Sequence, residues 1–181
     1  MEKENFPDGT RYQDAHLARI DLDSEMLGRM NTWMKSPRGL LLFIGNPGVG
    51  KTYFCAAMVN HFRELGKKCF YKSESEFLRC IRNSISEPGG DYSYKVQVMA
   101  RYEALWILDD IGTSQMTEWQ KEVLLMFVNE LYEQRRPAII TSNVWLKDIN
   151  SIFSHRFRSR LAATENTIIE LNAQDKRQLG M

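Results

Sequence analysis

The stretch GNPGVGKT, residues 45–52, constrains the fold of this chain more than any other feature. It follows the apolar run LLLFI at 40–44 and precedes a segment, 51–65, whose apolar residues have helical spacing. A glycine-rich loop between a buried strand and a helix is the context in which G-x-x-x-x-G-K-T holds phosphates. Backbone N–H groups and the positive end of the helix dipole then favour a bound anion. The stretch therefore predicts an α/β protein that binds a nucleotide.

We expect this loop to hold ATP together with Mg²⁺. Lys51 would reach the β- and γ-phosphates, and the Thr52 hydroxyl would bind the metal. Residues predicted to contact the nucleotide are Gly45, Asn46, Pro47, Gly48, Val49, Gly50, Lys51, Thr52 and Tyr53.

A second motif, LWILDD, places two adjacent carboxylates after four apolar residues. Asp109 would hold Mg²⁺ through water, and Asp110 would orient and polarise an attacking water. Adjacent aspartates also begin ordinary turns, here before Gly112. The motif supports ATP hydrolysis less strongly than it supports nucleotide binding, because the second acid is Asp rather than the longer Glu.

Two further segments offer polar groups to a triphosphate. Asn143 follows the apolar strand AIIT and would position water or sense the γ-phosphate, although Asn is also a common turn residue. The segment HRFRSRL carries Arg156, Arg158 and Arg160. An arginine offered to a neighbouring subunit's γ-phosphate would stabilise the transition state. The alternative is a solvated basic helix face.

The whole chain alternates apolar strands with helical segments, and strands are expected near 40–44, 69–71, 105–108, 138–141 and 167–171. Such alternation predicts a three-layer α/β/α fold with a mostly parallel five-stranded sheet and ligands at the carboxyl ends of the strands. A leading helix, or a pair of helices, is expected within 14–34. The turn-rich stretch SEPGGDYS at 86–93 predicts an exposed loop.

Charge and cysteine content limit the classes of partner and site. Lys+Arg 24 against Asp+Glu 23 gives a net charge of +1, so any DNA contact must come from a local patch. The three cysteines lack CxxC spacing and support neither a zinc site nor a disulfide framework. No signal peptide or apolar membrane span is present in the sequence, so we expect a cytoplasmic protein with no membrane contact.

Together these segments resemble the AAA+ ATPases of the DnaC, DnaI and IstB type, which are bacterial replicative helicase loaders and transposition helper ATPases. The resemblance covers roughly 38–177 and rests on GNPGVGKT, CFYKSESEFLRCI, LWILDDIG, IITSNV and SRL, in that order. It implies that residues 1–37 are an amino-terminal extension with a leading helix and that 38–181 form the AAA+ ATPase domain.

The resemblance also implies roles for individual residues. Thr52 and Asp109 would be the metal-side ligands, Asp110 the hydrolytic acid, Asn143 the first sensor and Arg160 an arginine finger acting across a homo-oligomer interface. Lys51 completes the implied catalytic set.

In the resembled family, helices between the second and third strands contribute to single-stranded DNA binding. The corresponding residues here are Arg79, Arg82, Lys95 and Arg101, with Phe77, Tyr92 and Tyr94 as stacking groups. The implied protein client is a replicative helicase or a transposase. Two departures are expected: a reduced or absent lid domain after Leu171, and too short a stretch before the first strand for a separate partner-binding domain.

Three classes of function remain open at this point. The preferred one is an ATP-hydrolysing accessory protein of DNA replication, similar to a helicase loader, with a transposition helper as its close alternative. A non-hydrolysing ATP-binding adaptor or regulator is the second class. A small-molecule kinase is less favoured, because the loop at 86–93 lacks the arginines of a kinase lid.

Overall fold

The computed structural model describes residues 6–85, 90–112 and 115–171. None of the helices in these ranges is both long and apolar enough to cross a bilayer. The strands are β1 (Leu40–Gly45), β2 (Cys69–Ser73), β3 (Leu105–Ile111), β4 (Ala138–Ser142) and β5 (Thr167–Leu171), and the helices are α1 (Ser24–Lys35), α2 (Lys51–Glu64), α3 (Glu74–Ile85), α4 (Tyr92–Arg101), α5 (Glu118–Glu133) and α6 (His155–Leu161).

The five strands form one sheet in the order β2-β3-β4-β1-β5, and every neighbouring pair is parallel. The tips of β3, β4 and β1 therefore lie side by side at the carboxyl edge of the sheet. This arrangement confirms the predicted parallel α/β fold and brings the three polar motifs of the sequence to one place.

Helices cover both faces of the sheet, because strand side chains point alternately to opposite sides. Leu41 and Phe43 pack with α1 and α2, whereas Leu40, Leu42 and Ile44 pack with α3 to α6. Both apolar faces of β1 are thus buried, as its continuous hydrophobic run predicted. The result is the expected three-layer α/β/α arrangement.

Where a leading helix or a pair of helices was expected within 14–34, the chain forms a short 3₁₀ turn followed by one α-helix. A 3₁₀ turn at Leu17–Arg19 precedes α1, whose first N–H groups are capped by the Asp23 side chain. We call residues 6–20 the amino-terminal strap. It lies on α2, where the Asn60 amide donates to the carbonyls of Gln13 and Ala15 at 3.0 and 2.9 Å.

Two predicted boundaries need correction. β3 was expected to end at Leu108, but it continues to Ile111 with a shift of register against β4. α4 begins at Tyr92 because the Asp91 side chain accepts from the Ser93 N–H at 2.8 Å, so only part of the stretch 86–93 is loop. Residues 86–89 of that predicted loop, and 172–181 where the lid was expected to be reduced, lie outside the described residues.

Candidate functional site

The glycine-rich loop depends on glycine at its two ends. A Cβ atom at Gly45 would lie 2.8 Å from the Leu171 carbonyl oxygen, so no larger residue fits where β1 passes β5. Gly50 takes a left-handed conformation with φ of 101° as the N-cap of α2. Glycine adopts this conformation without steric cost, which lets the chain turn directly into the helix.

Lys51 begins α2 and is almost fully buried, with 6% of its surface exposed. Its ammonium donates to the carbonyls of Gly45 at 2.9 Å and Asn46 at 3.0 Å, and to the Oδ1 atom of Asn143. The positive charge therefore lies inside the loop, between the tips of β1 and β4.

Asp109 lies at the tip of β3 and is 3% exposed. Its Oδ2 atom accepts from the hydroxyls of Thr52 and Tyr71, each at 2.9 Å. Its Oδ1 atom accepts from the Thr141 hydroxyl at 2.5 Å and from the Cys55 thiol at 3.4 Å. The two predicted metal ligands, Thr52 and Asp109, are thus in direct contact.

A hydroxyl and a carboxylate side by side suit Mg²⁺, which is bound through one or two protein oxygens plus waters and substrate phosphates. Within the described ranges, no group of three or more His, Cys, Asp or Glu residues is placed to hold a metal ion by itself. The residues present therefore fit a magnesium ion that arrives with the nucleotide.

Two neighbours of Asp109 remain protonated. Burial, followed by the nearby charge of Asp109, raises the pKa of the Cys55 thiol well above its usual value. The same two causes raise the pKa of the Tyr71 phenol. Both side chains are therefore hydrogen-bond donors to the carboxylate throughout the physiological pH range.

Asp110 occupies the irregular part of β3. Its φ angle of 64° lies in the left-handed region, which Asp tolerates better than most residues. Its N–H donates to the Thr141 hydroxyl at 2.8 Å, and its Oδ1 atom accepts from the Asn143 amide at 2.6 Å. The bulge thereby aims the carboxylate at the tip of β4, and Asn143 joins Asp110 to Lys51.

A buried acid that the sequence did not reveal supports the turn after Asp110. Glu74, at the start of α3, is 5% exposed and accepts from the Gly112 N–H at 2.5 Å. An acidic residue in the first turn of a helix is commonplace, so its type and position gave no signal. Tyr71, Cys55 and Thr141 were missed for a similar reason, since each has an ordinary place in a strand or helix.

The family pattern described as IstB-like ATP binding protein matches residues 16–161. The chain belongs to this family. The IstB-like chain is 28% identical over 163 residues to the chromosomal replication initiator protein DnaA of Geotalea uraniireducens (strain Rf4), which spans 87% of this chain and 33% of that protein. It is 29% identical over 122 residues to the replicative helicase loader DnaI of Bacillus subtilis (strain 168), a match that covers 67% of this chain and 38% of that protein. The match thus spans about a third of these relatives' length.

Solved structures show the same fold at low sequence identity. The DnaC helicase loader superposes with a TM-score of 0.74 and 19% identity over 90% of this chain and 99% of that one. A replication initiator DnaA bound to AMPPCP and single-stranded DNA superposes with a TM-score of 0.69 and 19% identity. The match covers 89% of this chain and 52% of that one. The IstB-like chain therefore shares its fold with these structures, as its motifs predicted, and the family to which it belongs is described as ATP-binding.

Arg160 lies outside the cluster formed by the other predicted site residues of this IstB-like protein. Its Nε atom donates to Asn129 at 3.0 Å, and its guanidinium lies 4.2 Å from the centre of the Tyr132 ring. The Asn166 side chain joins the Arg160 carbonyl to the Leu40 N–H, at 2.8 Å each. Arg160 is thus near the amino-terminal edge of the sheet, opposite its own glycine-rich loop.

The remaining predicted residues of the glycine-rich loop differ in burial and in hydrogen-bond partners. Val49 is buried beside Gly45, the Asn46 carbonyl accepts from Lys51, and Pro47 and Gly48 form the outer turn. The Tyr53 hydroxyl accepts from the His16 N–H of the amino-terminal strap at 3.1 Å. The strap therefore reaches the first turn of the helix that follows the loop.

The aromatic residues predicted to stack on DNA, on the helices between β2 and β3, differ in their exposure. Phe77 is fully buried and packs on Phe127, so its predicted role as a stacking group is wrong. Tyr92 is half-buried near Trp119. Tyr94, by contrast, is 68% exposed on α4.

Proposed function

We propose that this IstB-like protein is a magnesium-dependent ATPase that acts in DNA replication in the manner of a helicase loader. ATP binding would assemble copies of the chain on single-stranded DNA, on a replicative helicase, or on both, and hydrolysis would release them. The observation that carries the proposal is the meeting of Lys51, Thr52, Asp109, Asp110 and Asn143 at one edge of the sheet.

Each of these groups suits a step of phosphoryl transfer to water. The Lys51 ammonium exchanges loop carbonyls for phosphate oxygens, and Thr52 and Asp109 hold the metal. When bound, Mg²⁺ neutralises charge that develops on the phosphates. Asp110 orients the attacking water, while Asn143, in contact with both Asp110 and Lys51, couples the position of the acid to the presence of the γ-phosphate.

Arg160 supports an assembly of several copies. In its own chain it lies at the edge opposite Lys51, so it serves only a nucleotide bound by a neighbour. It lines a surface pocket of about 430 Å³ together with Arg158 and His155. An arginine supplied by a neighbouring subunit stabilises the charge of the transition state.

Single-stranded DNA is the proposed nucleic-acid ligand, and α3 and α4 are its proposed surface. Tyr94 exposes an aromatic ring for base stacking, and Lys95 follows it in the chain. Arg79 is exposed on α3, and the Arg82 guanidinium lies 5.3 Å from the Trp119 ring centre. Arg101 contributes less charge, because it pairs with Glu130 at 2.7 Å.

ATP turnover measured with and without single-stranded DNA tests the proposal. We expect slow turnover by the isolated chain, an increase on addition of DNA, and loss of this increase in Tyr94→Ala. Leu65→Ala, which truncates another exposed side chain at the end of α2, serves as the control for DNA stimulation. Turnover that requires a small phosphoryl acceptor would instead indicate a kinase, and absence of turnover with retained ATP binding would indicate an adaptor.

A transposition helper is the second candidate, and the match to the IstB-like family favours it. The similarity to the helicase loader DnaI favours replication. Copurification from native cells distinguishes them, because a helicase client supports the loader and a transposase client supports the helper.

A further inference from the structure

We propose that Tyr71 is a positioning residue that competes with magnesium-bound water for Asp109, and that Phe6 of the amino-terminal strap holds it in the competing position. The strap would thereby set the magnesium affinity of the site. This inference rests on the proposed function, namely that the loop and Asp109 bind a magnesium nucleotide.

The first step concerns the hydrogen-bonding capacity of Asp109. A carboxylate has about four lone-pair sites. Thr52 and Tyr71 donate to Oδ2, while Thr141 and Cys55 donate to Oδ1. The carboxylate is also almost completely buried, so bulk water does not supply a further partner. A metal-bound water therefore gains a hydrogen bond to Asp109 only when one of the four donors withdraws.

The second step identifies the donor that withdraws. Thr141 and Cys55 are fully buried, on a central strand and in α2. Thr52 stays beside the metal, because its own hydroxyl is a predicted metal ligand. Tyr71 is half-buried and lies on β2, which is an edge strand of the sheet. It is the donor whose departure disturbs the least packing.

The third step concerns what holds Tyr71 in place. The Phe6 ring stacks on the Tyr71 ring, with ring centres 3.6 Å apart and planes 11° from parallel. The amino-terminal strap is attached to α2 by Asn60, and Asp8 pairs with Arg63 at 3.3 Å. Displacing the strap would remove the stacked ring and let Tyr71 leave Asp109.

The test is a magnesium titration of nucleotide binding by the full chain, followed with a fluorescent, non-hydrolysable ATP analogue. Tyr71→Phe removes only the competing hydroxyl, so we expect the half-saturating magnesium concentration to fall about fivefold, the effect of one net hydrogen bond. Phe6→Ala should lower it by a smaller factor, about twofold, because the stacked pair is lost. Tyr102→Phe, at the end of α4 where the ring contacts Phe70, should leave it unchanged.

A role for Tyr71 in merely supporting the fold predicts the opposite direction, since loss of support would raise the magnesium requirement. An increase, or no change, in Tyr71→Phe would overturn the inference. Phe6→Ala in a Tyr71→Phe background should add nothing, because both changes act through one hydroxyl. Phe6→Ala alone tests the same idea if Tyr71→Phe does not fold, and no decrease there would overturn it. Failure of the wild type to bind the analogue at any magnesium concentration would instead contradict the proposed function.

Discussion

The two edges of the sheet carry the two halves of the proposed site, and they are built differently. At the carboxyl edge, Lys51 and Asp109 are 6% and 3% exposed and each has several hydrogen-bond partners. At the amino-terminal edge, the side chains of Arg160 and Glu133 are 31% and 63% exposed and lie 3.6 Å apart. An exposed ion pair of this kind contributes little to stability.

In the proposed assembly, this difference would separate the role of one chain from that of its neighbours. The groups proposed to bind the nucleotide are fixed before it arrives, because burial and multiple hydrogen bonds leave them few alternatives. Arg160 is partly exposed, so a neighbouring phosphate can replace its side-chain contacts at a lower cost than those of the buried groups. Substitutions at the carboxyl edge should therefore alter the isolated chain, and those at the other edge only the assembly.

The largest expected effect tests this division at Arg160. Arg160→Ala should lower ATP turnover of the DNA-bound assembly about 1000-fold, the lower range for loss of an arginine finger. Nucleotide binding by the isolated chain should be unchanged. Arg136→Ala removes another arginine at the same edge and should keep near wild-type turnover.

Mixing two inactive variants sharpens the Arg160 prediction. We expect Lys51→Ala to lose nucleotide binding but still to offer Arg160, whereas Arg160→Ala should bind nucleotide but lacks the arginine. An equal mixture should recover part of the turnover if the arginine acts between subunits. Loss of nucleotide binding in isolated Arg160→Ala would contradict the separation of the two edges.

The next largest effect concerns Asp110 at the carboxyl edge. Asp110→Asn keeps the size of the side chain and tolerates the left-handed φ of 64°, so the fold should be retained. Turnover should fall about 100-fold, as for loss of a general base, while binding of the fluorescent ATP analogue is kept. Normal turnover in this variant would show that another group activates the water.

A smaller effect, on folding, tests the close approach of the glycine-rich loop to β5. Gly45→Ala places a Cβ atom 2.8 Å from a backbone carbonyl oxygen, which should destabilise the protein by about 1–3 kcal/mol in urea unfolding. Gly28→Ala is the matched control, since nothing lies within 4 Å of its added Cβ atom in α1. That control should stabilise the protein by about 0.5–1 kcal/mol, and equal effects of the two changes would contradict the crowding at Gly45.

Much of the fold was predictable because local patterns agree with the tertiary structure. β5 spans the predicted Thr167–Leu171, and α5 begins with a capping box formed by Thr117 and Gln120, which are spaced three residues apart. Strong strand and cap signals of this kind leave few alternative structures. The predicted site residues at the tips of β1, β3 and β4 follow from the parallel order of the strands.

The rest of the site depends on contacts between residues that are distant in sequence. The bulge at Asp110 arises from the shift of β3 against β4, and the sequence near it shows only two acids before a glycine. Tyr71 and Glu74 approach Asp109 and Gly112 because β2 lies beside β3. Neither residue type signals such a role, so strand order had to be known first.

The smallest expected effect comes from comparing a buried with an exposed hydrogen bond at the start of α3. Glu76 accepts from the Ser73 N–H at 2.9 Å and is exposed, whereas Glu74, two residues earlier, is buried. Although burial opposes it, the hydrogen bonds from Ser73 lower the pKa of Glu76 below its usual 4.5. A lowered pKa in the folded state means that the contribution to stability is present above pH 4.5 and is lost as the pH falls through the folded value.

Glu76→Gln should therefore cost less than about 1 kcal/mol at pH 7, and the difference from the wild type should shrink in urea unfolding below pH 4.5. Glu74→Gln should cost more at pH 7, because its hydrogen bond to the Gly112 N–H is buried and weakening a buried hydrogen bond leaves a polar group poorly paired. Equal losses of stability in the two variants would contradict the idea that burial distinguishes the fixed groups of the carboxyl edge from the exposed groups around them.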